Sequence, residues 1–258
     1  MVDRAHIVEI YFDIDRPKYR LSQTWVEKRH AIFHGYTLKS LKNQDIQDFE
    51  ILLHLGSRHA EFTRTLRWDP RVTIDYDLGE TYWSALEADE ALITRLDSDD
   101  MIRRDGLATV RDYTAKFKHH RIFAFKDNIC WDKPNRLIIP HRRASTPFTS
   151  RVWSRAIFSD WRTFAAHHLK AHGSAGLGDR DPRCIDLPAG RICIFKHGLN
   201  TNMIKRGKEH PVFTEAQRQR MTAYHDDGKI WPFAWKILDQ DKIAQILSRF
   251  GLEGADLV

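Results

Sequence analysis

Short apolar runs alternate with amphipathic stretches over the first hundred residues. Four runs have the length and composition of buried strands, at residues 6–12, 49–55, 71–76 and 91–96. Helical patterns separate the later runs at residues 61–66 and 82–88. Ser22 is suited to cap a longer helix. The apolar residues of that helix are Trp25, Ile32, Phe33, Tyr36 and Leu41. Strands that alternate with helices predict a parallel sheet covered on both faces.

The pattern changes after residue 102. A helix is predicted at residues 106–118, and turn chemistry follows at Asp127-Asn128 and Lys133-Pro134-Asn135. Shorter strands are predicted at residues 121–125, 129–131, 136–139 and 191–195. Two further helices are predicted at residues 160–172 and 237–250, with a Gly- and Asp-rich loop at 173–182. We therefore expect a more antiparallel second half.

Composition excludes several classes of protein. The 258 residues are 42% hydrophobic, which fits one domain. No stretch approaches the roughly 18 uncharged apolar residues of a membrane span, and the first residues lack a signal-peptide pattern, so we expect a cytoplasmic protein. Three cysteines without a CxxC pair argue against a disulfide framework and a cysteine zinc site. The net charge of +6 suits a sugar diphosphate, nucleic acid or an anionic membrane, and equally an ordinary solvated surface.

An acidic run follows the fourth strand: Asp97, Ser98, Asp99 and Asp100. In parallel sheets ligands bind beyond the carboxyl ends of the strands, which is where this run lies. Three carboxylates so close together repel one another unless a cation neutralises them, and a divalent ion that bridges two phosphate oxygens would do so. The alternative is that Asp99 or Asp100 caps the next helix and the others are solvated.

Two segments resemble a known superfamily. They are TLKSLKNQDIQDFEILLHLG (residues 37–56) and ITRLDSDDMI (residues 93–102). Both are similar to the GT-A glycosyltransferases, and within them to the bacterial rhamnosyl transferase family, over roughly residues 5–205. The resemblance implies an α/β fold with a Rossmann-like, mainly parallel sheet flanked by helices and a smaller antiparallel acceptor-side sheet. It also implies one domain over residues 1–258, with a nucleotide-binding half to about residue 102 and an acceptor-side half with a C-terminal helix beyond it.

The resemblance assigns roles to the acidic run. Asp97 would face the ribose of the nucleotide, Asp99 would bind Mn²⁺ or Mg²⁺, and Asp100 would support them. Arg95, two residues before Asp97, is assigned with it to the donor. The donor implied is a nucleoside diphosphate sugar, with a UDP-sugar favoured.

A second match lies downstream, in ICIFKHGLNTN (residues 192–202). Many GT-A enzymes complete the metal site with a histidine after a late strand, and His197 stands in that position. A neutral imidazole at a strand end is a suitable Mn²⁺ ligand. Lys196, Lys205 and Arg206 flank it and would stabilise the departing diphosphate. The alternative is a structural histidine among solvated loop charges.

Sugar transfer with inversion needs a group that accepts the proton of the acceptor hydroxyl. Asp160 lies at a helix start, where inverting GT-A enzymes have a carboxylate, although their usual Glu-Asp pair is absent because Ser159 precedes it. A helix cap has the same appearance. Competing carboxylates are Asp179, Asp181 and Asp186.

Four weaker signals have structural alternatives. Trp153 and Trp161 would stack on a sugar or belong to the core. His168 and His172 share a helix face without a third metal ligand, so we interpret them as structural.

These residues predict a metal-dependent glycosyltransferase that moves a sugar to an acceptor hydroxyl of a polysaccharide or oligosaccharide. One alternative is a DNA glycosyltransferase that acts on a hydroxymethylated pyrimidine, which the basic charge would suit. Another is a non-catalytic module that binds nucleic acid or glycan on an old transferase fold. A nucleotidyltransferase also needs clustered aspartates and a metal.

Overall fold

The computed structural model describes residues 3–12, 22–135, 137–142, 148–173, 184–197, 214 and 240–253. Its strands are β1 (Arg4–Tyr11), β2 (Glu50–His54), β3 (Val72–Asp75), β4 (Glu90–Asp97), β5 (Met101–Ile102), β6 (Ile122–Ala124), β7 (Asp127–Asp132), β8 (Leu137–Arg142), β9 (Thr149–Ser154), β10 (Cys184–Asp186) and β11 (Ile192–Lys196). The four strands and the order of elements predicted for the first half are confirmed.

The helices are α1 (Gln23–Ile32), α2 (Leu38–Lys42), α3 (Ala60–Thr65), α4 (Glu80–Ala85), α5 (Gly106–Lys116), α6 (Arg155–Phe158), α7 (Trp161–Gly173) and α8 (Gln240–Ser248). Ser22 caps α1 as predicted, since its hydroxyl accepts a hydrogen bond from the Trp25 amide at 3.2 Å. A π-helical turn (Phe33–Thr37) joins α1 to α2. Among the described helices, none combines the length and apolar character needed to cross a bilayer.

The larger sheet has seven strands in the order β10-β6-β9-β4-β1-β2-β3. Strands β3, β2, β1 and β4 are parallel neighbours, and β9 runs antiparallel to both β4 and β6. Strands from beyond residue 102 thus extend the sheet that the first half begins. The predicted fold class, a mainly parallel α/β sheet flanked by helices, is confirmed in its architecture.

The smaller sheet has the order β5-β11-β7-β8. It is mixed, because β11 pairs parallel with β7 and antiparallel with β5. The prediction of an antiparallel small sheet is therefore only partly right. The turn predicted at Asp127-Asn128 is wrong, since both residues pair with β8 as the first residues of β7.

Apolar side chains cover both faces of the larger sheet. On one face, Val8 and Ile10 pack with residues of α1 and α5. On the other face, Ile7 packs with Trp83 of α4 and Phe164 of α7. Cys130, Cys184 and Cys193 are not joined in a disulfide. The helices pack on the two faces of the sheet, and other residues surround the carboxyl ends of β1–β4.

Four buried titratable side chains connect this sheet to α7. Glu9 lies between two histidines, with Oε1 3.0 Å from His54 Nε2 and Oε2 2.6 Å from His168 Nε2. His54 Nδ1 is also 2.6 Å from Asp75 Oδ2. Burial alone would lower the pKa of His54, but the hydrogen bonds to Asp75 and Glu9 outweigh it and raise that pKa to about 9. The network fastens α7 to the sheet, and the structural interpretation of His168 agrees with this contact.

The raised pKa predicts a loss of stability at alkaline pH. Because the folded pKa of His54 exceeds the unfolded value near 6.5, its contribution is complete below pH 6.5 and is lost as the pH rises through about 9. The contribution is on the order of 3 kcal/mol. Urea unfolding of the wild type should show this decline, and the His54→Gln variant should be less stable at pH 6.5 with a flatter profile up to pH 9.

His6 provides the matched control. Burial, assisted by Arg111, lowers the pKa of this histidine to about 3, so it is neutral across the same range. The His6→Gln variant should keep the alkaline decline, and an unchanged decline in His54→Gln would contradict the assignment.

Candidate donor-binding site

Four polar side chains form one row at the carboxyl edge of the parallel strands. The register aligns Asp75 of β3, His54 of β2, Tyr11 of β1 and Asp97 of β4. The Tyr11 ring stacks on His54 with 4.6 Å between the ring centroids, and the Arg95 guanidinium lies 5.5 Å from the Tyr11 ring centre. Ligands of open α/β sheets bind at this edge. Asp97 and Arg95, both predicted to contact the donor, therefore share the right edge and the same face of β4.

The acidic run turns sharply at the end of β4. The Asp100 amide donates to the Asp97 carbonyl at 3.1 Å, and Ser98, Asp99 and Asp100 are all buried. Asp100 Oδ1 accepts a hydrogen bond from the Phe195 amide of β11 at 2.9 Å. The alternative interpretation, a helix cap with solvated neighbours, is thus wrong, because Asp105 is the residue that precedes α5.

The helical segment of residues 23–42 and the residues just after it hold this loop through its backbone. Thr37 Oγ1 donates to the Ser98 carbonyl at 3.0 Å, and the Ile102 amide donates to Ser40 Oγ at 3.2 Å. Gln44 Nε2 donates to the carbonyls of Ile102 and Arg103, while its Oε1 accepts from the Leu107 amide. These contacts explain why the TLKSLKNQ segment has polar side chains at Thr37, Ser40 and Gln44.

Arg29 of α1 supplies the positive charge at the acidic run. Its Nη1 donates to Asp99 Oδ2 at 2.5 Å, and its Nε and Nη2 donate to Ser98 Oγ at 3.1 and 3.0 Å. The same Nη1 lies 3.2 Å from His197 Nε2. Arg29 is only 5% exposed, so this ion pair is screened little by solvent.

His197 follows β11 and contacts Asp99 in addition to Arg29. Its Nε2 is 3.1 Å from Asp99 Oδ2, and its ring packs 5.0 Å from that of Phe195. Burial alone would raise the pKa of Asp99, but Arg29 and His197 outweigh it and hold that pKa at about 2. For Asp100, burial and the charges of Asp99 and Asp97 raise the pKa well above its usual value. The two residues predicted to bind the metal are therefore in contact.

This pair has the donor chemistry of a divalent-ion site. Asp99 Oδ2 and His197 Nε2 lie 3.1 Å apart, so the two residues would be within reach of one ion. A carboxylate oxygen and an imidazole nitrogen both suit Mn²⁺. Across the described ranges, no group of three or more His, Cys, Asp or Glu side chains is placed to hold a metal. With two protein ligands, Mg²⁺ or Mn²⁺ takes its other ligands from phosphate and water oxygens.

Lys196 does not join this pair. Its carbonyl accepts from the Lys133 amide, and its side chain lies near the Cys130 thiol, whereas the neighbouring His197 ring faces Phe195. Strand alternation separates the two side chains, because successive residues point to opposite faces. Lys205 and Arg206 lie outside the described residues.

Asp160 is a helix cap. Its carboxylate accepts from the Arg162 and Thr163 amides and from the Thr163 hydroxyl, and it is fully exposed. The preceding strand β9 ends with Ser154 paired to Glu90, the first residue of β4. Asp160 thus follows the end of β9 that lies at the opposite edge of the sheet from Asp97. The capping alternative explains this residue, and we leave it out of the site.

The remaining predicted residues fall elsewhere. Trp153 and Trp161 pack in the core around Phe164, as their structural alternative predicts. Asp186 pairs with Lys126 at 2.7 Å on the larger sheet. Asp179, Asp181 and most of the loop at 173–182 are not among the described residues, nor is the side chain of His172.

Sequence analysis did not single out Arg29. It lies four residues after Trp25 and four before Phe33, and both of these are buried. This spacing puts Arg29 on the buried stripe of the helix. Because an arginine is almost never buried without a partner, its place on an apolar stripe was the signal that could have found it.

The chain is similar, at low sequence identity, to several solved structures. No family model and no curated protein matches the sequence. Residues 1–349 of TarS from S. aureus are similar at 12% identity, over 95% of this chain and 80% of that one, with a TM-score of 0.42. Rv0371c from Mycobacterium tuberculosis H37Rv, in complex with manganese, is similar at 14% identity over 84% and 97% of the two chains, with a TM-score of 0.35.

A third similar structure is the 2-C-methyl-D-erythritol 4-phosphate cytidylyltransferase of Francisella tularensis. It is 7% identical over 71% of this chain and 91% of that one, with a TM-score of 0.36. Similarities of this size do not identify an activity.

Gln44 gives a direct test of the contacts that hold the acidic run. The Gln44→Leu variant removes a hydrogen-bond partner from the Leu107 amide and from three backbone carbonyls, those of Ser40, Ile102 and Arg103. The Arg103 carbonyl keeps the Gly106 amide as a partner, while the other groups lose a buried hydrogen bond, which is costly. We expect the free energy of unfolding to fall by about 2–4 kcal/mol. Gln245→Leu, at an exposed position of α8, should change it by only about 0.5 kcal/mol. Equal effects in the two variants would contradict this role for Gln44.

Proposed function

We propose that this chain is a metal-dependent glycosyltransferase that moves a sugar from a nucleoside diphosphate sugar to an acceptor hydroxyl. The observation that carries the proposal is the contact between Asp99 and His197, 3.1 Å apart at the carboxyl edge of β4. Ninety-eight residues separate them in the sequence, so their meeting is a product of the fold. Both are ligands that suit Mn²⁺, and both lie where α/β sheets bind nucleotides.

The donor would lie across the row that ends in Asp97. Asp97 would bind the ribose hydroxyls, because a carboxylate accepts hydrogen bonds from both. Arg95, on the same face of β4, would bind a phosphate or fix Asp97. A UDP-sugar is the favoured donor. Tyr11 pairs with Asp97 in the register and offers an aromatic ring beside it.

The bond to the sugar breaks as the diphosphate leaves, and negative charge accumulates on its oxygens. A divalent ion held by Asp99 and His197 would stabilise that charge as a Lewis acid. Arg29, a buried residue next to this pair, would supply a second positive charge to the departing diphosphate. Asp100, hydrogen-bonded to the Phe195 amide, keeps the loop closed against β11.

The acceptor proposed is a polysaccharide or oligosaccharide hydroxyl. Transfer to a hydroxymethylated pyrimidine in DNA would reveal itself by a steep decline of binding with salt, because phosphate contacts release counterions. Turnover of small glycans that does not change with salt would support the proposal. Consumption of a nucleoside triphosphate instead of a sugar donor would identify a nucleotidyltransferase.

Ligand-dependent stability tests the donor and the ion together. A ligand that binds only the folded chain raises the apparent melting temperature, by about 5 °C at a hundredfold excess over Kd for a protein of this size. We expect UDP with Mn²⁺ to do so, and UDP or Mn²⁺ alone to do so much less. A panel of nucleoside diphosphates with and without Mn²⁺ identifies the base. A panel in which no diphosphate shifts the melting temperature would contradict the proposal.

Variants of the pair test its role in turnover. Asp99→Asn and His197→Ala should remain folded and lose metal-dependent donor turnover by about 100-fold or more, since each removes a ligand of the charge-stabilising ion. The control is Asp105→Asn, which changes a carboxylate that pairs with Arg103 and Arg191 outside the pair. Full turnover in either test variant would remove the site assignment.

Asp160 separates the capping role from the catalytic one. Asp160→Asn keeps a side chain that caps a helix well, so its free energy of unfolding should be close to that of the wild type. Its turnover should stay within about twofold of the wild type. A loss of turnover beyond about 100-fold, with unchanged stability, would restore Asp160 as the general base.

A further inference from the structure

Arg29 makes the contacts that a bound cation would make. Its Nη1 lies 2.5 Å from Asp99 Oδ2 and 3.2 Å from His197 Nε2, the same two atoms that the proposed ion would share. The other guanidinium nitrogens are held by Ser98 Oγ, and the Trp25 ring lies 5.7 Å away. The group is therefore anchored from several directions with its charge directed at the pair.

A guanidinium and a divalent ion cannot both occupy this position at little cost. Asp99 Oδ2 would have to serve two cations, and like charges a few ångströms apart repel strongly where solvent is excluded. Asp99 and Arg29 are 6% and 5% exposed, so solvent screens this repulsion little. Binding of the ion therefore requires Nη1 to move away from Asp99.

The diphosphate offers the displaced guanidinium a new partner. Arginine binds phosphate oxygens through two parallel hydrogen bonds, and its long side chain can turn without movement of the helix. The ion also gains from the diphosphate, since Asp99 and His197 supply only two of its ligands. Binding of the diphosphate therefore favours binding of the ion, and binding of the ion favours binding of the diphosphate.

We propose that Arg29 is an internal counter-ion that holds the cation position between Asp99 and His197 until ion and diphosphate bind together. This inference rests on the proposed function of the same pair. Its consequence is positive coupling: the ion alone binds weakly, and the diphosphate tightens it. Couplings of this kind are typically 5- to 150-fold. The site would then be protected from divalent ions that arrive without a donor.

Titration of Mn²⁺, followed by the electron paramagnetic resonance signal of the free ion, measures the coupling without any turnover. In the wild type, UDP should tighten Mn²⁺ binding by about tenfold or more. In Arg29→Gln, Mn²⁺ alone should bind about tenfold more tightly than to the wild type, and UDP should add little. Arg29→Lys keeps a positive charge and should stay closer to the wild type. Arg103→Gln removes an arginine that pairs with Asp105 elsewhere and should match the wild type.

Stability gives a second measurement in case Arg29→Gln is weakened by the loss of a buried partner. Mn²⁺ should then raise the melting temperature of Arg29→Gln more than that of the wild type, because the ion replaces the missing charge. Equal Mn²⁺ affinity and equal thermal shifts in the two proteins would overturn the counter-ion proposal.

Asp99→Asn distinguishes the two levels of failure. If it abolishes Mn²⁺ binding while Arg29→Gln changes nothing, the ion site stands and Arg29 is only structural. If Asp99→Asn binds Mn²⁺ as the wild type does, the ion lies elsewhere, and both the counter-ion and the proposed function fail.

Discussion

Three carboxylates lie within four residues at the end of β4, and two of them, Asp99 and Asp100, are buried. A buried cluster of like charges is unstable unless cations or hydrogen bonds compensate it. Here the compensation comes from Arg29 at 2.5 Å, from His197 at 3.1 Å and from the Phe195 amide. These partners come from α1 and β11, at distant positions in the chain. The need to neutralise one loop therefore fixes how α1, β4 and the small sheet meet.

The two faces of the larger sheet use buried charge differently. On the face of α1, the charges converge on the edge where a diphosphate would bind. On the face of α7, Asp75, His54, Glu9 and His168 form a chain of hydrogen bonds beneath Tyr11. The first group is arranged to exchange one cation for another. In the second group each histidine bonds to a carboxylate. Such a network is suited to hold in place the strands whose last residues form the polar row at the carboxyl edge.

Local sequence patterns predicted the elements that local forces determine. The apolar runs form β1 to β4, and Ser22 caps α1. The acidic run lies at the carboxyl edge of the sheet because it begins at the end of β4. Features that depend on distant pairing were harder. The small sheet is mixed because β11 pairs parallel with β7, and the paired residues Ile129 and Cys193 are 64 positions apart, so no local pattern indicates the pairing. Asp160 was ambiguous because a helix cap and a general base have the same appearance in the sequence. The burial of Arg29 can be predicted from its place on the apolar stripe of α1, but its partner Asp99 can be identified only in the folded chain.

The central claim is that Asp99 and His197 together hold the ion that binds the diphosphate. Pulsed electron paramagnetic resonance tests it most directly, on Mn²⁺ and UDP bound to protein that contains ¹⁵N-labelled histidine. We expect one Mn²⁺ per chain, coupled to ³¹P of the diphosphate and to one histidine nitrogen, and the nitrogen coupling should disappear in His197→Ala. A Mn²⁺ signal with no histidine coupling, or with a coupling that survives in His197→Ala, would contradict it.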